Sequence, residues 1–201
     1  MELKCYKCVI DPDITSDLEV SFVALVDRPA IDRNFLSFNE RQRFSLNEDR
    51  QIISGPAMIA GLPMYRKDET FGEYYVEFDA ETILSIVQKF NAKGYMQNFN
   101  LFHDENQQLP GITIFNSFIS DPSLGIQPMQ GFEDVADGSW FISAKVNNDE
   151  AWGKIKDGSV KGFSVEGIFQ YVKMQSQKAK LTPDETVLKI LDLLKETTGL
   201  I

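Results

Sequence analysis

Seven short runs of β-branched and aromatic residues, each bounded by Gly, Pro, Asn or Asp, constrain this fold most. They cover residues 3–10, 20–26 (VSFVALV), 51–61 (QIISGPAMIAG), 72–78 (GEYYVEF), 111–120 (GITIFNSFIS), 138–146 (GSWFISAKV) and 160–172. Helical patterns interrupt them without a regular βαβ alternation, so a parallel doubly wound sheet is not expected. The pattern predicts a mainly β, α+β domain: a closed or partly open barrel of about seven strands surrounded by a few helices.

Three helices are expected. The first runs from Ala80 to Lys93, with Asp79 as N-cap, an apolar stripe of Ile83, Ile86, Val87 and Phe90, and Gly94 as the stop. The second, near Asp149 to Lys156, buries Trp152 and Ile155. The third lies in TPDETVLKILDLLKETTG, where Thr182 caps, Pro183 takes the first turn and Glu185 completes a capping box. A polar stretch from Lys173 to Lys180 reads as a linker to it, and the charged segment 39–50 reads as a surface loop. The organisation is a domain over 1–172 with a linker and amphipathic helix over 173–201. That helix either packs back on the domain to bury its stripe or serves as a tail.

Composition narrows the function classes. A hydrophobic content of 43% with 15 phenylalanines fills a core, which excludes wholesale disorder. A net charge of −10 argues against nucleic acid as a partner, because phosphate binding needs a basic surface. MELKCYKCVI has no basic region followed by a long apolar stretch, and no run approaches a membrane span, so a cytosolic protein without membrane contact is the expectation. Cys5 and Cys8 form one C-x-x-C, but a zinc site needs further ligands and the single histidine is far away. Two reduced thiols in a strand are the simpler reading. No P-loop, G-x-G-x-x-G, H-E-x-x-H or EF-hand loop is present, so neither cofactor nor metal is expected.

Two residues could carry nucleophilic chemistry. His103 is the only histidine and sits where a strand end leads into the polar loop of NLFHDENQQLPG, a place that displays reactive side chains. Ser164 lies in VKGFSVEGIF, which reads as one strand with Phe163, Val165 and Phe169 on one face and Ser164, Glu166 and Ile168 on the other. A serine attacks a carbonyl only when a base takes its proton, and histidine is the side-chain type suited to that task, which makes His103 the candidate. Gly162 and Gly167 could let a substrate backbone approach, or could mark a bulge. Carboxylate pairs offer a competing chemistry: Glu73 with Glu77, Asp104 with Glu105, and Asp149 with Glu150. Most such acids are solvated surface, and those at helix starts answer the helix dipole.

Taken in order, these pieces resemble the prohead (procapsid maturation) serine proteases of tailed bacteriophages, whose fold is related to the herpesvirus assemblins. The matching pieces are VSFVALVDRPAIDRNFLSF (20–38), ISGPAMIAGLPMYRKDETFGEYYVEFDAETILSIVQKF (53–90), NLFHD (100–104) and GSWFISAKVNNDEAWGKIKDGSVKGFSVEGIF (138–169). The resemblance spans roughly residues 18 to 172, and the Lys-Gly-Phe-Ser-Val-Glu-Gly run with its upstream His-Asp carries most of it. It implies that Ser164 is the nucleophile and His103 the general base. The assemblins use a second histidine as third member; this chain has none, so the third member is a carboxylate or is absent. Glu166, two residues along from Ser164 on the same face, is the first candidate; Asp104, Glu77 and Asp79 stay open.

The resemblance further implies an endopeptidase that cleaves scaffold and major capsid proteins, and itself, inside the assembling procapsid in the host bacterial cytoplasm. A homodimer is allowed for. The segment after 173 would be a docking tail or a piece released by autoprocessing. A rival of another class is a non-enzymatic phage assembly protein on a related barrel, with Ser164 and His103 as bystanders.

Overall fold

A computed structural model describes residues 3–27, 45–48, 50–68 and 72–174. The expected linker beyond Met174, the C-terminal helix, and the turn after Asp27 lie outside the described residues.

Along the chain run β1 (Lys4–Val9), β2 (Val20–Val26), β3 (Ser45–Asn47), β4 (Ile52–Met58), β5 (Met64–Asp68) and β6 (Gly72–Glu77). Then follow α1 (Ala80–Ala92), β7 (Phe99–Leu101), β8 (Asp104–Gln108), β9 (Ile112–Ile119), a short 3-10 turn (Pro122–Leu124) and β10 (Trp140–Val146). α2 (Asp149–Lys156), β11 (Gly162–Gly167) and β12 (Gln170–Lys173) complete the order.

The class is mainly β with two α-helices among the described residues. Where one barrel of about seven strands was expected, the ladders form three four-stranded sheets, ordered β12-β1-β6-β5, β3-β4-β10-β9 and β11-β2-β7-β8, and no closed ring joins them among the described residues. Among the described residues only β1/β6 and β2/β7 pair in parallel; the other pairs are antiparallel.

The central strands are those whose sequences are nearly continuous apolar runs, as burial on both faces requires. β2 lies between β11 and β7 and buries Val20, Val23, Ala24, Leu25 and Val26. β10 lies between β4 and β9, with Trp140, Phe141 and Ile142 fully buried.

The helix α1 buries the expected stripe against β2 and β10, and Phe90 meets Trp140 edge-on at 5.2 Å. Asp79 caps it, accepting from the Thr82 N–H at 2.9 Å, and also pairs with Lys7. Burial pushes the Asp79 carboxyl up, but the bonds from Lys7 and Thr82 outweigh it and hold it below its ordinary value. A carboxyl lowered by folding stabilises the fold above its unfolded pKa, about 3.9, and that contribution is lost as pH falls through the folded value. Asp79→Ala is therefore expected to cost about 1 kcal/mol at neutral pH. In urea unfolding, the gap from the parent should close below about pH 4. A gap that stays constant with pH would count against the cap.

Three strands are additional to the expectation, β3, β5 and β8; β7 is the short strand whose end His103 was expected to follow, and β8 stands where a polar loop was expected. β3 falls within 39–50, read as a loop, and is an exposed edge strand. The run 160–172, read as one strand, is two strands in different sheets. The reason is Gly167. A Cβ there would stand 2.0 Å from the Glu19 carbonyl oxygen, and the register shifts between Glu166 and Gly167. So the close approach that Gly167 permits is to this chain's own backbone, and the face alternation assumed for Ile168 and Phe169 does not carry past it. β12 also runs through Lys173, where the linker was expected to begin.

Candidate functional site

β7 and β8 form a hairpin whose loop is only Phe102 and His103, closed by the pair Leu101–Asp104. Both loop residues have positive φ, 54° and 60°, the signature of a primed two-residue turn. Such turns favour Asn-Gly, so a Phe-His pair in left-handed backbone is strained. The Phe102 N–H donates to the Leu25 carbonyl at 3.0 Å, which ties the turn to β2. Strain held in place by neighbouring ladders is a hallmark of functional positions, and here it fixes a histidine at the hairpin tip.

Ser164, Ala24 and Asn100 lie in one row across β11, β2 and β7. Directly paired residues point to the same face, so the small Ala24 leaves room between serine and asparagine. Glu166, two residues past Ser164, reaches β7 and the hairpin tip: its Oε2 accepts from Asn100 Nδ2 at 2.6 Å and lies 3.5 Å from His103 Nδ1. The second distance is long for a hydrogen bond, as catalytic contacts are before substrate binds. With Nδ1 toward the carboxylate, Nε2 is the ring nitrogen left free to act as a base.

Ser164, His103 and Glu166 line one cavity of about 300 Å³. Ser164 is buried, so it does not sit on a solvated strand edge, and its hydroxyl forms no hydrogen bond among the described residues. The walls are largely apolar: Met58, Leu62, Val76, Phe78 and Phe169, the last two in edge contact at 4.9 Å. Cys8 and Arg66 add polar groups. Burial pushes the Cys8 thiol up to about 12, against the opposing charge of Arg66, so it stays a neutral wall.

The other carboxylates proposed for the site lie elsewhere. Val76 faces the cavity, so by alternation Glu77 points to the opposite face, near Cys5, whose Sγ is 3.9 Å from its Oε2. Burial and the nearby Asp79 raise the Glu77 carboxyl. Asp79 is committed to the α1 cap and Lys7. Asp104 turns back on its own hairpin, accepting from Gln107 Nε2 at 2.6 Å and the Asn106 N–H at 2.9 Å. Those bonds hold its carboxyl below the ordinary value. Of the competing pairs, Glu73 is exposed and bound to Lys67, and Glu150 in the first turn of α2 pairs with Lys154. Cys5 and Cys8 are free thiols of β1. No group of three His, Cys, Asp or Glu side chains is placed to hold a metal among the described residues, and no helix there is long and apolar enough to cross a membrane.

Asn100 is the site residue that sequence reasoning missed. It is buried, and its amide oxygen has no partner among the described residues. Its one visible signal was position: it stands three residues before the only histidine.

The family model described as "Putative phage serine protease XkdF" matches residues 58–173, and the chain belongs to that family. No curated protein and no solved structure matches the chain. The matched span holds His103, Asn100, Ser164 and Glu166 together.

Proposed function

We propose that this phage-family protein is a serine endopeptidase of capsid maturation, cutting scaffold and major capsid proteins, and itself, within the procapsid. The observation that carries the reading is the convergence of Ser164, His103 and Glu166 on one cavity, with the carboxylate on the Nδ1 side of the ring. Ser164 Oγ attacks the scissile carbonyl while His103 Nε2 takes its proton. Glu166 steadies the imidazolium that forms, and Asn100 holds Glu166. His103 then returns the proton to the departing amine, and water repeats the sequence on the acyl-enzyme. Support for the procapsid setting, and for kinship with the assemblins, comes from the sequence resemblance and the family's phage description.

A fluorophosphonate probe tests the chemistry. Labelling is expected at Ser164 of the full chain, absent in Ser164→Ala and strongly slowed in His103→Ala. Coexpression with the phage's scaffold and capsid proteins should yield fragments with the parent and none with Ser164→Ala. A parent that is neither labelled at Ser164 nor yields fragments would hand the site to the rival reading, a non-enzymatic assembly protein, whereas equal processing by Ser164→Ala would remove Ser164 from the role of nucleophile.

A further inference from the structure

Arg66 lines the same cavity as Ser164 and His103, from a different sheet than the one that carries Ser164. It belongs to β5, an edge strand that among the described residues pairs only with β6, in a stretch (MYRKDE) that reads as charged surface. Arg66 instead shares the inward face with Met64, Val76 and Cys8. Its charge is felt by the Cys8 thiol, which sits on β1, two strands in from β5. Arg66 is thus half-buried and lines the cavity instead of standing fully in solvent.

The group is underused. Of its five N–H donors, Nη1 donates to the Tyr65 carbonyl at 3.0 Å. No carboxylate pairs with it among the described residues, although the chain carries 30 acidic side chains against 20 basic ones. The nearby walls are apolar, Cys8 is a neutral thiol, and Glu166 is engaged by Asn100 and His103. A half-buried guanidinium with free donors in an apolar cavity is matched by a planar carboxylate, which it can bind through two parallel hydrogen bonds. The cavity volume suits a substrate side chain and not a folded partner.

We propose that Arg66 is a specificity residue that selects substrates with an acidic side chain immediately before the cleaved bond; this rests on Ser164 being the nucleophile. The carboxylate recognised is that of the side chain. The alternative source, the new C-terminal carboxylate of the product, would act on every substrate alike.

The test digests a peptide library prepared from a bacterial proteome with the full chain and reads the residues flanking each cut by mass spectrometry. Glu or Asp should dominate the position before the cut. Matched Glu and Gln peptides should differ about 10–100-fold in kcat/KM, the range of a charge-assisted hydrogen-bonded pair. Arg66→Gln should bring that ratio to about threefold or less by losing turnover of the Glu peptide, and Arg66→Glu should favour Lys at the same position. Fluorophosphonate labelling of Ser164 in both variants shows that they are folded. Cuts without acidic enrichment, no cleavage of the Glu peptide, or a preference that survives Arg66→Gln overturns the proposal. Product inhibition equal for Glu and Gln peptides, without a side-chain preference, assigns Arg66 to the product carboxylate and also overturns it. Failure of the protease reading is seen separately, as absence of labelling at Ser164 in the parent.

Discussion

His103→Ala is expected to lower kcat by roughly 10⁴–10⁶-fold, because nucleophile and base act as a unit and either loss removes most of the rate. Glu166→Gln should cost far less, and the reason is Asn100. Asn100 Nδ2 donates to the same oxygen, Glu166 Oε2, that faces His103 Nδ1. In Glu166→Gln that donor holds the glutamine with its amide oxygen in this position, so Nδ1 still meets an acceptor and the ring keeps its useful tautomer. What is lost is the negative charge behind the imidazolium, worth about 1.5–3 kcal/mol, or roughly 10–100-fold in kcat. Adding Asn100→Ala frees the amide to turn its N–H toward Nδ1 and impose the wrong tautomer. The double variant should then fall toward a 10⁴-fold loss, more than the two single losses combined. Single-turnover rates with circular dichroism as a folding control measure this. A double variant no worse than the product of the singles would remove Asn100 from the role of positioning residue, and a Glu166→Ala variant within threefold of the parent would remove Glu166 from the site.

Where burial dictates sequence, the fold was legible. β2 and β10 are central in their sheets and read as apolar runs, and α1 shows its cap, stripe and stop. Strands that owe their existence to a neighbour's ladder leave no such trace. β8 is Asp-Glu-Asn-Gln-Gln, polar throughout, and is a strand because β7 pairs with it. The turn that aims His103 was hidden for another reason: Phe-His carries none of the glycine or asparagine that normally marks left-handed backbone. Period-2 spacing did put Glu166 beside Ser164, since both precede the break at Gly167. It could not show that the carboxylate crosses to β7, because that depends on which strands flank β2 and in what register they pair. Arg66 was unreadable because a cation among charged neighbours resembles surface until the strand's inward face is known.

The largest stability loss is expected from Lys89→Met, at a residue that helical periodicity alone would place among solvated lysines. Lys89 is 3% exposed. Its Nζ donates to the backbone carbonyls of Asp11 at 2.9 Å, Ser16 at 2.8 Å and Leu18 at 3.2 Å, and lies 3.9 Å from Glu19 Oε2. An ammonium has three protons, so these carbonyls use it fully and pin the segment that leads into β2. Methionine keeps much of the volume but leaves buried acceptors and Glu19 without that cation; such losses run to about 3–5 kcal/mol. For a chain of this size the expected fall in Tm is roughly 6–20 °C. Lys67→Met is the contrast: its bond to Glu73 at 3.1 Å is exposed, and loss of such a pair costs under about 1 kcal/mol. Because the pinned segment delivers β2, whose Ala24 separates Ser164 from Asn100, local hydrogen exchange in Lys89→Met should quicken in residues 11–26 before the rest of the sheet. A Lys89→Met protein within about 1 kcal/mol of the parent in urea unfolding would mean that water replaces the ammonium at those carbonyls, and that the segment is held by its packing alone.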